Sequence, residues 1–279
     1  MSNTSGTHEL ADGIRVLGLR TPTLPPATAT NTLVVGRRRL AVIEPATPYP
    51  EERRSLDALV DALADAGGEV VAILLTHHHV DHTGYADALR DRLGAPIYAH
   101  EATATRLGFS VDKTLEDGEP LELDDDFVLT AMFTPGHAPG HLIYQERRSG
   151  IAYAGDLVAG EGTILIDPED DGDMNQYLAS LRRVDALAPT ALVPSHGPTI
   201  DHPSACLQRY IDHRLGREQK VLAAIDRGAV SFDAALAGAY ADTPKFLWPL
   251  AARSLEAHLI KLEQDGLIRR REKAIERVR

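Results

Sequence analysis

The most informative stretch of the sequence is Thr76-His77-His78-His79-Val80-Asp81-His82, which directly follows an apolar run at residues 70–75. A continuous apolar run of this kind is typical of a strand that is buried on both faces. Side chains two positions apart on an extended segment point the same way, so His77 and His79 can reach one metal ion. After the chain turns, Asp81 and His82 can face a second ion, and imidazole and carboxylate are both ligands that zinc accepts. The stretch therefore predicts a metal site at the end of a buried strand.

Three later segments carry further candidate ligands, and each follows a strand-like run. His137 ends the segment Thr134-Pro135-Gly136-His137 after the run at 127–133, Asp156 follows the run at 151–154, and His196 follows the run at 191–193. Loops that follow strands often carry functional side chains, so we expect these residues to converge on one rim of the fold. A lone histidine is usually structural, whereas this combination favours a metal centre.

In type and order these residues resemble the ligand pattern of the metallo-β-lactamase superfamily of binuclear metal hydrolases. The resemblance implies an α/β fold, the αβ/βα four-layer sandwich, in which two sheets pack face to face with helices outside. It also implies two zinc ions, with other divalent metals as an alternative. By this resemblance the first metal would be bound by His77, His79 and His137, the second by Asp81, His82 and His196, and both would be bridged by Asp156.

Further segments are similar to the beta-lactamase-like protein 2 subgroup of that superfamily. They include Asn31-Thr32, Ser195-His196-Gly197-Pro198 and Tyr210-Ile211-Asp212-His213-Arg214. This similarity covers nearly the whole chain and implies a C-terminal helical, winged-helix-like domain. Strand signals nearly vanish after about residue 203, so we predict a catalytic domain at 1–202 and the helical domain at 203–279. The activities that the similarity implies are metal-dependent endoribonuclease and thioester or ester hydrolysis.

Four residues are candidates for roles around the ligands. Glu44 stands where most relatives have an aspartate that supports the metal ligands, so it either supports them with a longer arm or marks a rearranged site. His141 is expected to form a structural hydrogen bond, with contact to substrate as the alternative. His213 and Arg214 are either substrate-pocket residues or part of a helix surface. His78 is expected to point away from its neighbours and to bind no metal.

Outside these motifs the chain alternates strand-like and helix-like segments up to about residue 200. Apolar positions at helical spacing predict helices at 50–66, 85–93 and 174–187. Short apolar runs predict strands at 32–36, 40–43, 97–99 and 141–145. The acidic residues at 116–126 predict a solvated loop.

Composition restricts the class of protein. With 279 residues, of which 43% are hydrophobic and 25% charged, the chain is typical of a globular protein rather than a disordered one. The net charge of −12 disfavours non-specific binding of phosphate backbones, although Arg269-Arg270-Arg271 either contacts RNA or forms a solvated tail. The single cysteine, Cys206, cannot form an internal disulfide and is expected in a helix. Residues 1–10 show no secretory signal and no run is long enough to span a membrane, so we expect a cytoplasmic protein.

We therefore expect a binuclear metal-dependent hydrolase in which a metal-bridging hydroxide attacks a small ester or thioester and Asp81 accepts a proton. A small-molecule acyl substrate is favoured over RNA, and an endoribonuclease acting on single-stranded RNA is the alternative. A mononuclear-iron dioxygenase and a binding module are minor alternatives. An apolar cleft over the metals would favour acyl substrates, whereas a strong electrostatic funnel would favour RNA.

Overall fold

Two β-sheets stack at the centre of the fold in the computed structural model, which describes residues 6–271 and 274–278. The 7-stranded sheet runs in chain order through β1 (His8–Ala11), β2 (Ile14–Arg20), β3 (Ala29–Val35), β4 (Arg39–Ile43), β5 (Glu69–Leu74), β6 (Ile97–Ala99) and β7 (Lys113–Thr114). Its pairs are antiparallel from β1 to β4 and parallel from β4 to β7. Residues 1–5 of the polar N-terminal stretch lie outside the described residues.

The second sheet has 5 strands, in the order β12-β11-β10-β9-β8. They are β8 (Pro120–Asp124), β9 (Phe127–Phe133), β10 (Leu142–Glu146), β11 (Ile151–Gly155) and β12 (Ala191–Pro194). Its pairs are antiparallel except for β11 and β12, which run parallel. A parallel pair needs a crossover connection, which is supplied by the helix α5 (Met174–Ala186).

Alternation along the strands separates the buried layers. Leu33 and Leu74 of the first sheet pack against Leu129 and Tyr144 of the second, which forms the core between the sheets. Neighbouring residues such as Val34 point the other way, towards the helices α1 (Pro50–Asp65) and α3 (Ala86–Leu93). The short helix α2 (Val80–Thr83) precedes α3, and the short helix α4 (Glu101–Ala104) follows β6. The outer face of the second sheet packs against α5 and against α6 (Pro203–Asp226). This arrangement of layers confirms the predicted four-layer sandwich.

The C-terminal part is built around α6, α7 (Phe232–Ala239) and α8 (Trp248–Gln264). Leu236, Leu255 and Leu259 form its core together with Ile268 and Ile275. The last two belong to a hairpin of β13 (Ile268–Arg271) and β14 (Ala274–Arg277), so the expectation that strands vanish here was wrong. The basic run Arg269-Arg270-Arg271 masks the strand pattern of β13. Its central residue is paired, since Arg270 Nη1 lies 2.6 Å from Glu256 and Arg270 Nε lies 3.0 Å from Glu263.

The prediction of a loop at 116–126 was also wrong in part, because Pro120–Asp124 forms β8. Leu121 and Leu123 of this strand are buried while Glu122 is exposed, so its acidic residues lie on the outward face of a strand. Cys206 lies in α6 as expected. In the described part of the chain no helix is both long and apolar enough to cross a bilayer.

Candidate metal centre

The predicted ligands lie just beyond the carboxyl ends of four strands. His77 follows β5, and His79 directly precedes the short helix α2 (Val80–Thr83), whose turn carries Asp81 and His82. His137 follows β9, and His196 follows β12. The remaining ligand, Asp156, comes directly after β11. Since these strands belong to both sheets, the centre lies at one edge of the sandwich, as the sequence predicts.

The first group consists of three imidazoles. His77 Nε2 lies 2.9 Å from His79 Nδ1, and His137 Nε2 lies 3.1 Å from the same atom. One ligand atom of each residue lies within 4.8 Å of the others. Three nitrogen ligands facing one point are a common zinc-binding arrangement.

The second group lies beside the first, with Asp156 between them. Asp81 places one carboxylate oxygen 3.5 Å from His82 Nε2 and the other 3.7 Å from His196 Nε2. Asp156 Oδ2 lies 3.5 Å from His137 Nε2 and 3.7 Å from His82 Nε2, while its Oδ1 lies 3.5 Å from His196 Nε2. The Asp156 carboxylate therefore reaches both groups.

Two atoms of the centre are buried without a partner in the described residues. They are His82 Nε2 and Asp156 Oδ1, although buried polar atoms normally form hydrogen bonds. Both atoms face the space between the two ligand groups, where nitrogen and oxygen ligands suited to a divalent metal converge. The residues present thus fit metal ions.

Burial and neighbouring charge set the protonation of these imidazoles. Burial, together with the adjacent histidines, holds the pKa values of His77 and His137 well below the ordinary value, so both are neutral at pH 7. Burial also opposes the charged form of His82, but Glu44, Asp81 and Asp156 outweigh it and raise the pKa of His82 to about 10. The second group therefore lies in a field that attracts positive charge.

Glu44 lies behind the centre and is fully buried, with a backbone φ of 51°. Its Oε2 accepts hydrogen bonds from His82 Nδ1 at 2.9 Å, from the Tyr153 hydroxyl at 2.5 Å and from the Ser195 hydroxyl at 3.0 Å. Its other oxygen accepts from the Thr76 hydroxyl. Burial raises the pKa of Glu44, but His82 and these hydroxyls lower it by more, so the carboxylate is ionised. Glu44 thus holds the ring of His82 with Nε2 towards the centre.

Hydrogen bonds also fix the rings of His141 and His137. His141 Nδ1 lies 2.9 Å from the Thr134 hydroxyl, and its Nε2 accepts from the backbone N–H of Asp156 at 3.0 Å. Both of its nitrogens are therefore used structurally, and His141 fixes the backbone of a ligand. His137 Nδ1 lies 2.9 Å from the carbonyl of Leu165.

Sequence reasoning missed Asp170, which contacts the first group from the loop before α5. Asp170 Oδ2 lies 2.6 Å from His79 Nε2, on the side of the ring opposite to Nδ1. This hydrogen bond lowers the pKa of Asp170 to about 2. His78 lies outside both ligand groups, with its Nε2 3.5 Å from Asp170. Asp170 is 91 positions from His79 and belongs to no motif, so the sequence carries no local signal for it.

A cleft of about 470 Å³ opens above the centre and extends to the C-terminal helices. Its floor includes His79, Asp81, His137, Asp156 and His196. Its walls are largely apolar and are contributed by Leu24, Pro25, Pro26, Val80, Ile164, Leu165, Leu247, Leu250 and Ala251. His213 and Arg214 line the cleft as well, together with Arg217 and Arg253. The structure thus collects basic residues that are scattered in the sequence.

Comparison with protein families matches residues 25–196 to the Metallo-beta-lactamase superfamily and residues 236–277 to the Beta-lactamase associated winged helix domain. The second match confirms the predicted winged-helix-like domain; the boundary at 202/203 stays a prediction.

Similar proteins cover almost the whole chain. The Beta-lactamase-like protein 2 homolog of Drosophila melanogaster is 28% identical over 276 residues, which are 92% of this chain and 89% of that protein. The Caenorhabditis elegans homolog is also 28% identical, over 96% of this chain and 90% of its own length. The crystal structure of a Beta-lactamase domain protein from Burkholderia ambifaria matches with a TM-score of 0.86 at 19% identity, covering 100% of this chain and 95% of that one. The last match concerns the fold alone.

Proposed function

We propose a substrate class and a metal arrangement for this chain, which belongs to the metallo-β-lactamase superfamily and is a metal-dependent hydrolase of that fold. The proposal is a binuclear zinc enzyme that hydrolyses a small ester or thioester. The observation that carries the substrate class is the apolar cleft above the ligands.

The two ligand groups would each hold one metal ion. The first ion would be held by His77, His79 and His137, the second by Asp81, His82 and His196, with Asp156 shared between them. When bound, a pair of divalent ions lowers the pKa of water and polarises the carbonyl of an acyl group. His82 and His137 are held by hydrogen bonds on their far nitrogens, so their orientation is fixed before substrate enters.

In this proposal Asp81 accepts a proton from the attacking water. Its carboxylate lines the cleft, and its two oxygens lie beside His82 and His196. A carboxylate at the floor of a cleft can take a proton from water and return it to the leaving alcohol or thiol.

The walls of the cleft favour an acyl chain over RNA. Apolar side chains such as Leu24, Ile164 and Leu250 line the cleft, and an acyl chain that packs against them would displace water from an apolar surface. Single-stranded RNA requires a continuous track of cations for its phosphates. Here Arg253 is paired with Asp167 at 2.7 Å and Arg217 with Asp242 at 2.8 Å, so their charge is already balanced.

The test is a parallel assay of the zinc-loaded protein on acyl thioesters, esters, lactones, phosphodiesters and single-stranded RNA. We expect the highest kcat/KM on a thioester or ester, and Asp81→Asn should lower it by roughly 10²- to 10⁴-fold, as for other proton-transfer groups. The control is His202→Ala, which changes an exposed histidine at the start of α6.

Metal analysis of the same preparation tests the arrangement. Two zinc ions per chain are expected. One iron per chain, or cleavage of RNA in preference to every acyl substrate, would overturn the proposal.

A further inference from the structure

Arg214 is a buried cation in the wall of the cleft, with 3% of its surface exposed. Its Nη2 donates to the carbonyl of Ile164, and its guanidinium lies 5.4 Å from the centre of the Tyr177 ring. Neither contact neutralises its charge, and no described residue forms a salt bridge with it. Nε of Arg214 is buried and has no acceptor within the described chain. A buried charge without a counter-ion is costly, which indicates that an anion enters this position.

Tyr240 offers a second unpartnered group in the same cleft. It follows α7 in the C-terminal part, and its ring lies 4.3 Å under the guanidinium of Arg217. The side chain is 5% exposed, and its hydroxyl finds no partner among residues 6–271 and 274–278. An unpaired buried hydroxyl is unfavourable unless a ligand or water completes it.

The other cations of this wall are already balanced. Arg217 is paired with Asp242 and Arg253 with Asp167. Burial, and then Arg214 and Arg217, lower the pKa of His213, so this imidazole is neutral at pH 7 and adds no charge. Among the arginines that line the described cleft, Arg214 is therefore the one without a carboxylate partner, and a ligand anion could pair with it.

We propose that Arg214 and Tyr240 form a subsite for a carboxylate at the far end of the acyl chain, opposite the carbonyl that is hydrolysed. This inference rests on the proposed function and narrows its substrate to an ester or thioester of a dicarboxylic acid. The apolar wall, which includes Ile164 and Leu250, would hold the methylenes between the two ends. The guanidinium and the hydroxyl can each donate to one oxygen of a carboxylate. The distal carboxylate does not react: water replaces the alcohol or thiol at the other end.

The first experiment compares ω-carboxyacyl thioesters with analogues in which the distal carboxylate is a methyl ester, over a series of chain lengths. At the best length we expect the wild-type enzyme to prefer the carboxylate about 10- to 100-fold in kcat/KM, the range for a hydrogen bond to a charged group. Arg214→Gln should bring this ratio close to one, and Tyr240→Phe should lower it by part of that factor. The matched control is Arg253→Gln, because Arg253 lines the cleft but is paired with Asp167, so the ratio should persist.

Arg214→Gln removes a hydrogen bond to Ile164, so its folding must be checked by circular dichroism and thermal unfolding. Tyr240→Phe removes only a hydroxyl that contacts no acceptor or donor in the described fold, so it remains informative if Arg214→Gln fails to fold.

The second experiment measures binding without catalysis. Calorimetry on the zinc-loaded protein would compare a dicarboxylate with the monocarboxylate of equal length, in the wild type and in Tyr240→Phe. We expect tighter binding of the dicarboxylate by the wild type and a smaller difference in the variant. If such binding is found but no thioester or ester is hydrolysed, the subsite stands and the proposed function fails. Hydrolysis without preference for a distal carboxylate, and equal binding of both acids, would overturn the subsite and leave the proposed function standing.

Discussion

At the scale of single residues, each imidazole of the centre is held from its far side. His82 is held by Glu44, His79 by Asp170, and His196 Nδ1 lies 3.0 Å from the carbonyl of Ala29. Such partners fix which nitrogen faces the metal and tune its basicity. The centre is thus pre-organised by groups that never touch a metal ion.

The Asp170 contact can be tested with two neighbouring isosteric changes. Asp170→Asn should weaken metal binding about 10- to 100-fold, because the neutral amide is a poorer partner for His79 Nε2. Asp171→Asn is the control, since Asp171 pairs with Arg106 instead and asparagine tolerates its left-handed φ of 59°. Dissociation constants would be measured by competition with a chromophoric chelator. Equal affinities in the two variants would show that Asp170 does not orient His79.

Residues of the centre can be predicted from the sequence when their partners lie within the same short stretch. His77, His79, Asp81 and His82 are found from spacing alone, because the turn that brings them together lies within the stretch itself. The hydrogen bond of Tyr153 to Glu44 joins residues 109 positions apart. No pattern in the sequence encodes that pairing, since it exists only after the two sheets have stacked.

At the scale of elements, the strand-to-ligand loops depend on close backbone contacts. Gly136 in the loop before His137 has a φ of 132°, and a Cβ there would lie 2.2 Å from the backbone nitrogen of Tyr177 in α5. The loop therefore packs directly on the helix that crosses the second sheet. Only glycine allows both this conformation and this approach.

Gly136→Ala should lower the free energy of unfolding by about 2–6 kcal/mol, which sums backbone strain and overpacking. The control is Gly118→Ala, where φ is 77° but no atom lies within 4 Å of the added Cβ. This second change should cost about 1–3 kcal/mol, from strain alone. Urea unfolding followed by circular dichroism measures both. A cost for Gly136→Ala no greater than that of its control would mean that the loop can move away from α5.

Two of the strands that the sequence did not predict share one cause. In β8 and β13, charged residues occupy the outward positions, so the sequence of each half-buried strand resembles that of a solvated segment. The paired strands β1 and β2 were also not predicted, although Ile14, Val16, Leu17 and Leu19 of β2 are buried. By contrast β5, buried in its second half between two strands, was recognised from its apolar run. Strands at sheet edges or with one solvated face carry a weaker signal than central ones.

At the scale of the molecule, α6 joins the two halves of the cleft. Its first half packs through Leu207 and Ile211 on the second sheet, and its second half packs through Val221 and Ile225 in the C-terminal core. One continuous helix thus belongs to both cores. The C-terminal wall of the cleft, with Tyr240 and Leu250, is thereby held against the metal centre.

The ligands come from strand ends of both sheets, so metal ions should hold the edge of the sandwich together. A ligand that binds only the folded state at 100 times its Kd adds about 2.7 kcal/mol of stability, which for a chain of this size raises Tm by about 5–10 °C. Removing metal with a chelator should lower Tm by this amount, and added zinc should restore it. His82→Ala removes a ligand of the second group only and should reduce the response to zinc, whereas His202→Ala, at an exposed position outside both ligand groups, should retain it in full. A Tm that does not respond to chelator or zinc in the wild type would mean that the converging imidazoles and carboxylates are stable as a metal-free cluster. That outcome is unexpected, because the unpartnered His82 Nε2 and Asp156 Oδ1 would then remain buried without compensation.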